Sequence, residues 1–79
     1  MEPLLKQAKT ILKDSTRSEY EHIVYQSNMS PLAERCLRYA ILYRKSLIEI
    51  SMELSISEAT VKRNLHEAYR KVALFLKLI

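Results

Sequence analysis

The side chains with the clearest chemical potential are cations in the last third of the chain. At about 100° per residue, a helix beginning at Glu58 gathers five side chains within about 100° of arc: Ala59, Lys62, Arg63, His66 and Arg70. An apolar stripe falls on the opposite face: Val61, Leu65, Ala68, Val72, Phe75, Leu76 and Ile79. Arginine and lysine reach guanine acceptors and phosphates, and a small alanine allows close approach. This face predicts a helix that fits the major groove of DNA; an ordinary solvated face is the alternative.

The start of the same helix adds groups that favour phosphate. Ser57 is the expected N-cap, and backbone amides and hydroxyls at a helix start often contact phosphate; capping alone is the alternative for Ser57 and Thr60. We expect Lys62 and Arg63 to contact base edges and Arg70 to contact phosphate. The complete predicted DNA-binding set is Ser57, Glu58, Ala59, Thr60, Lys62, Arg63, His66 and Arg70.

Other residues give little support for catalysis. His22 and His66 are not in metal-ligand spacing, and Glu19 and Glu21 straddle different sides of their predicted helix. The single cysteine, Cys36, cannot supply a cysteine-based metal site, and its apolar neighbours predict a buried thiol. We expect no enzyme activity, no metal and no cofactor.

Composition determines which elements carry the cationic face. The chain has 79 residues, of which 48% are hydrophobic and 28% charged, as expected of one small globular domain. It contains no glycine, which excludes glycine-dependent phosphate loops and disfavours tight β-hairpins. We predict a single domain, residues 1–79, with an all-α fold: a compact bundle of four or five helices. The formal net charge of +4 permits a polyanionic partner.

Location is predicted from the same composition. No apolar run approaches the ~20 residues needed to span a bilayer, and the N-terminus lacks a signal-peptide hydrophobic block. One cysteine suits a reducing compartment. We therefore expect a cytoplasmic protein without a membrane partner.

Two helices are predicted within residues 1–28. The first, residues 2–13, has an apolar stripe of Leu4, Leu5, Ala8, Ile11 and Leu12. Its three lysines, Lys6, Lys9 and Lys13, are interpreted as a solvated face. The second follows a break at residues 14–16 and runs to about residue 25.

A third helix is predicted from Pro31 to about residue 43. Ser30 can cap it, and Pro31 stands where a missing N–H costs nothing. Its expected inward face is Ala33, Cys36, Leu37, Ala40 and Ile41. Arg35 and Arg38 are expected to point away from that face, and Arg44 with Lys45 to end the helix favourably against its dipole.

Two further helices form a predicted helix-turn-helix. Ser46 and Glu49 make a capping box, which places the start of the fourth helix at Leu47. Its inward residues are Leu47, Ile50 and Leu54. Residues 55–57 interrupt it before the fifth helix, which runs from residue 58 nearly to the end. A short break that contains an apolar residue between two helices is typical of this motif.

Residues 30–72 resemble the promoter-binding C-terminal domain of bacterial sigma factors. Residues 46–72 are similar too to the DNA-binding domain of LuxR-type response regulators. The diagnostic strings are SLIEISMELSIS, residues 46–57, and SEATVKRNLHEAYRKV, residues 57–72. The resemblance implies that residues after the Thr60–Val61 pair face DNA, which falls on Lys62, Arg63 and His66. Residues 73–79 form an apolar C-terminal extension.

Two positions depart from the family pattern. Ser55 stands where glycine is usual, so we expect a left-handed serine. Ser51 replaces a small alanine, so its hydroxyl must bond back to the backbone. The core-polymerase-binding and melting regions of a complete sigma factor have no counterpart in the sequence. The size therefore resembles that of compact sigma-like regulators of phages and mobile elements.

Two hypotheses follow for function. The first is a sequence-specific DNA-binding transcription regulator with double-stranded DNA as its partner, and RNA polymerase as a further one. The alternative is a protein-interaction module of the same fold that binds RNA polymerase or a phage transcription or packaging protein. Cations concentrated on one helix face favour the first.

The apolar stripe of the fifth helix continues beyond what the motif needs. Spacings of three and four residues are those of a helix-packing seam. We predict a homodimer whose interface comprises Val72, Phe75, Leu76 and Ile79. The alternative is that the first helix folds back over this segment within one chain.

Overall fold

Side-chain caps determine where the helices begin. The computed structural model describes residues 3–78, and these form five helices: α1 Pro3–Asp14, α2 Arg17–Ser27, α3 Pro31–Ile41, α4 Leu47–Leu54 and α5 Glu58–Phe75. Thr16, Ser30, Ser46 and Ser57 each accept a hydrogen bond from a backbone amide of the following turn. The predicted all-α fold is confirmed, as are the predicted caps of α3, α4 and α5. The predicted first residue of α1, Glu2, lies outside the described residues.

Two of the caps are reciprocal. The Glu19 carboxylate accepts a hydrogen bond from Thr16 N at 2.7 Å, and the Glu49 carboxylate accepts one from Ser46 N at 2.8 Å. These backbone hydrogen bonds favour the charged carboxylate and lower the pKa of both glutamates. The predicted capping box at Ser46 is thus confirmed, and α2 carries a second one.

The chain turns at residues in the left-handed region. Asn28, Arg44, Ser55 and Lys77 have φ between 52° and 60°, and they follow the ends of α2, α3, α4 and α5. Glycine normally takes such positions, because a Cβ there costs roughly 1–2 kcal/mol. A chain without glycine must use other residues at each of these turns.

The larger of two core clusters joins α1, α2 and α3 to α5. Its large buried side chains are Leu5, Leu12, Tyr20, Leu37 and Val72. Helix α5 packs against each of the other four helices, so it is the central element. All of the predicted DNA-binding residues except the N-cap Ser57 therefore lie on the helix that the rest of the fold supports.

The smaller cluster seats the helix-turn-helix on α3. Cys36, Ile50 and Val61 are fully buried there, from α3, α4 and α5 respectively. Leu65 packs against both clusters, so it links them. Burial raises the pKa of the Cys36 thiol, as expected for an inert buried cysteine.

Arg38 points away from the buried stripe of α3, as predicted, but it is paired there with residues of α2 and α3. Its guanidinium lies 3.0 Å from Glu21, 2.7 Å from Glu34 and 5.9 Å from the centroid of the Tyr20 ring. Both α2 and α3 pack against α5, which brings Tyr20 and Glu21 close to Arg38 and which the periodicity of α3 alone does not reveal. Arg44 also differs, since α3 ends at Ile41 and Arg44 belongs to the turn.

The C-terminal part of α5 corrects the predicted dimer face at Val72. That side chain is fully buried in the larger cluster with Leu5 and Leu12 of α1, so it offers no surface to a second chain. Phe75 is partly exposed, and Leu76 packs against the same cluster. Ile79 lies outside the described residues. Tyr69 and Ala73 join the buried face instead, because α1 and α5 pack along that side.

Candidate nucleic-acid interface

The turn between α4 and α5 is built as the two departures from the family pattern predicted. Ser55 adopts φ 55° and ψ 44°, so a serine takes the usual glycine conformation. The Ser51 hydroxyl donates to the Ile48 carbonyl at 3.1 Å. Ile56 donates its N–H to the Ser51 carbonyl at 3.1 Å, and its side chain packs into the smaller cluster. The apolar residue in the break thus anchors the two helices to each other.

The predicted DNA-binding residues lie along one exposed side of α5. Seven of them are exposed and Thr60 is half-buried; the seven are Ser57, Glu58, Ala59, Lys62, Arg63, His66 and Arg70. Since Val61, Ala68 and Val72 are buried on the other side, this side of α5 is available to a large partner. The amphipathic division predicted for α5 is confirmed at these positions.

Hydrogen bonds organise the beginning of α5. The Ser57 hydroxyl accepts from Thr60 N at 3.1 Å and lies 2.8 Å from the Thr60 hydroxyl. Arg63 Nη2 donates to Thr60 Oγ1 at 3.3 Å, which draws the guanidinium towards the helix start. A donor fork held in this position, close to the small Ala59, is suited to the edges of base pairs.

The acidic residue in the first turn of α5, Glu58, affects which groups of DNA the start of the helix can contact. Glu58 is exposed and stabilises the positive end of the helix dipole. Its charge opposes a phosphate at the same place, whereas a carboxylate can accept from the amino group of cytosine. The start of α5 is therefore better suited to base edges at Glu58 and to phosphate at Ser57.

A cationic cleft borders this side of α5 and was not predicted. Its volume is about 520 Å³, and six of its lining residues are basic: Lys9, Lys13, Arg44, Lys45, Lys62 and His66. Its apolar lining includes Leu47, Ile50 and Leu65, from α4 and α5. None of the described residues that line the cleft is acidic. We call these six side chains with the space between them the cationic cleft.

Sequence reasoning missed most of this cleft. Lys9 and Lys13 were interpreted as a solvated face of α1, and Arg44 with Lys45 as a helix terminus. The four-residue spacing of Lys9 and Lys13 does place them on one side of α1. What brings that side to Lys62 and His66 is the packing of α1 against α5, which local patterns do not contain.

Arg38 and its neighbours form the contrasting charged region. A second cleft of about 690 Å³ is lined by Glu21, His22, Tyr25, Glu34 and Arg38, among others. Its arginine is paired with two carboxylates, and within residues 3–78 these are the only ion pairs. The hydrogen bond to Glu34 is the main reason that the pKa of Arg38 is raised. We call Tyr20, Glu21, Glu34 and Arg38 the Arg38 cluster.

Other kinds of site find little support in the described residues. Across residues 3–78, no group of three or more His, Cys, Asp or Glu side chains could hold a metal ion. None of the helices in that range combines the length and the apolarity that crossing a membrane requires. The predictions about catalysis, cofactors and location stay predictions.

Comparison with known proteins adds no relative. The chain matches no protein-family model, no curated protein and no solved structure. The resemblance to sigma-factor and LuxR-type domains therefore stays a prediction from the quoted motifs.

Proposed function

We propose that the chain is a sequence-specific DNA-binding transcription regulator that inserts α5 into the major groove of double-stranded DNA. The observation that carries this proposal is the exposed side of α5, where Lys62, Arg63, His66 and Arg70 lie on a helix that begins directly after a capped turn. A helix of this width fits the major groove, and its cations match guanine acceptors and phosphates.

The proposed roles differ along the helix. Lys62 and Arg63 follow the start of α5 and reach base edges, as a recognition helix does with its first turns. Arg70 lies two turns beyond Arg63, where the groove curves away, and contacts phosphate. Ser57 and Thr60 position the backbone of the helix start against a phosphate.

The proposal includes a homodimer, with a smaller interface than the one predicted from the sequence. Phe75 is 37% exposed and Leu74 is 46% exposed, so the last turn of α5 retains an apolar surface. A second copy there would double the number of base pairs that are read and set the half-site spacing. Sedimentation of the intact chain and of Leu74→Ser/Phe75→Ser tests this, because Val72 and its core contacts stay in place.

A second candidate function is an interaction module that binds RNA polymerase or a phage transcription or packaging protein. Ile48 and Met52, one turn apart on α4, favour it because they are 57% and 73% exposed. Large apolar side chains left exposed together mark protein interfaces. A regulator that acts in the cytoplasm beside RNA polymerase has use for both surfaces.

Selection of bound duplexes from a random pool, at two salt concentrations, tests the proposed function. We expect a recovered sequence motif at both, with weaker binding at the higher concentration because phosphate contacts release counterions. Recovery of random sequences that bind equally would contradict sequence-specific recognition. Absence of binding to any duplex, with an intact fold, would leave the interaction module as the better account.

A further inference from the structure

The cationic cleft continues from the exposed side of α5 onto two other parts of the fold. Lys9 and Lys13 come from α1, Arg44 and Lys45 from the turn before α4, and Lys62 and His66 from α5. Lys62 and His66 belong both to the cleft and to the predicted DNA-binding set. Anything bound along that side of α5 therefore meets the cleft at its edge.

The charges of the cleft lack the compensation that Arg38 has. Within residues 3–78 none of its cations forms an ion pair, and its lining contains no carboxylate. Lys62 and His66 already belong to the predicted DNA-binding set, and Lys45 adjoins the α4 capping box of Ser46 and Glu49. That leaves Lys9, Lys13 and Arg44 as the basic side chains of the cleft without another assigned role.

Arg44 is held in an unfavourable backbone conformation at this place. Its φ of 52° is left-handed, and the next amide, Lys45 N, donates to the Tyr39 carbonyl at 3.0 Å to close the turn. Glycine would adopt this conformation without the steric cost. The turn directs a long cationic side chain to the rim of the cleft at the expense of stability.

We propose that the cationic cleft binds the phosphate backbone of the same duplex whose major groove receives α5, with Lys9, Lys13 and Arg44 as the phosphate contacts. The proposal rests on the proposed function. Duplex DNA is the occupant because its dense row of phosphates complements basic side chains on α1 and on the turn before α4, beside the helix α5 already assigned to the groove. Helix α1 thereby becomes part of the DNA-binding surface.

The first experiment compares two glycine substitutions that are matched in conformation and in charge. Arg44→Gly and Lys77→Gly each remove one positive charge and relieve one left-handed residue, but only Arg44 lines the cleft. Both should raise the melting temperature, by about 4–8 °C if about 1 kcal/mol is relieved. Only Arg44→Gly should weaken DNA binding and reduce the slope of log K against log salt, by about 0.9.

The second experiment removes the α1 contacts. Lys9→Gln/Lys13→Gln should reduce the same slope by about 1.8, as expected for two lost phosphates. The control Arg17→Gln/Arg35→Gln removes two exposed cations that lie outside the cleft and should leave the slope unchanged. Melting temperatures of all variants show that the fold is retained.

The outcomes separate this proposal from the proposed function. If the wild-type chain binds duplex DNA and the cleft variants change the slope no more than their controls do, the cleft proposal is overturned and the proposed function stands. If the folded wild-type chain binds no duplex DNA at any salt concentration, both are overturned. A larger slope change in both cleft variants than in their controls supports the proposal.

Discussion

The Arg38 cluster and the cationic cleft both contain basic side chains, but only in the Arg38 cluster is the positive charge neutralised by carboxylates of the fold. In the Arg38 cluster, one guanidinium lies between two carboxylates and above an aromatic ring, so its charge is satisfied within the fold. In the cationic cleft, six cationic or potentially cationic side chains share a rim without a carboxylate among the described lining residues. Whether a basic side chain is neutralised within the fold or stays free to bind an anion thus depends on the residues that the neighbouring helices place beside it.

The largest effect on DNA binding is expected from Lys62 and Arg63 on the exposed side of α5. Lys62→Ala and Arg63→Ala should each weaken binding to a selected duplex by about 1–3 kcal/mol relative to a scrambled one, because base-edge contacts are lost. Competition binding with both duplexes measures this discrimination. Arg38→Gln is the control from the other region and should leave it unchanged.

Equal losses for the selected and scrambled duplexes would show that Lys62 and Arg63 contact phosphate alone. An effect of Arg38→Gln as large as theirs would contradict the division between the two regions.

The next largest effect is expected for the free energy of unfolding when the buried phenol of Tyr20, in the Arg38 cluster, is changed. Tyr20 is fully buried, which raises the pKa of its phenol, and its hydroxyl has no hydrogen-bond partner within the described residues. Tyr20→Phe removes the unsatisfied group and keeps the ring beneath Arg38. We expect the free energy of unfolding to rise by about 1 kcal/mol, measured by urea denaturation.

Tyr69→Phe is a suitable comparison for that measurement. Burial raises the pKa of the Tyr69 phenol to about 12. Tyr69 is also buried, but its hydroxyl is not among the unpartnered buried groups of residues 3–78. A loss of stability in Tyr20→Phe would mean that its hydroxyl is satisfied by solvent.

Removal of the guanidinium itself should have a smaller effect. Arg38→Gln breaks both ion pairs and the contact with Tyr20, at a cost of about 0.5–1 kcal/mol, because Arg38 is 24% exposed and its pairs are screened by solvent. Urea denaturation at low and high salt measures it, and the cost should shrink at high salt. An undiminished cost would assign the effect to packing of the arginine stem instead.

The smallest effect concerns the glutamates of the capping boxes. Their pKa is lowered in the folded state by hydrogen bonds from Thr16 and Ser46. Their contribution to stability is therefore present above the unfolded pKa of about 4.3 and is lost as pH falls through the lower folded value. We expect Glu49→Gln to reduce the acid sensitivity of the melting temperature slightly, and Glu53→Gln on the same helix to leave it unchanged.

Local signals in the sequence predict much of this molecule. Each of the serines Ser30, Ser46 and Ser57 predicts a helix start, because an N-cap residue and the backbone amide that it caps lie within four residues of each other. Ser55 is predictable as a left-handed residue because glycine is usual at this position in the families that the sequence resembles. The exposed side of α5 follows from periodicity alone.

Contacts between distant helices were not predictable in the same way. The ion pairs of Arg38 were not predicted, because Glu21 is 17 residues away in sequence and meets it only when α2 and α3 both pack against α5. Lys9 and Lys13 were assigned to solvent because the alternative in which α1 folds back over the end of α5 does not by itself place these lysines beside Lys62 and His66. The same packing buries Val72, which was predicted at a dimer face.

Amide chemical-shift changes on titration of the labelled chain with a selected duplex test the central claim most directly. The account predicts the largest changes at Ala59, Lys62, Arg63 and His66, further changes at the cleft residues Lys9, Lys13 and Arg44, and little change in the Arg38 cluster. Changes confined to Ile48 and Met52 or to the Arg38 cluster, with α5 unaffected, would contradict the claim that the exposed side of α5 reads DNA.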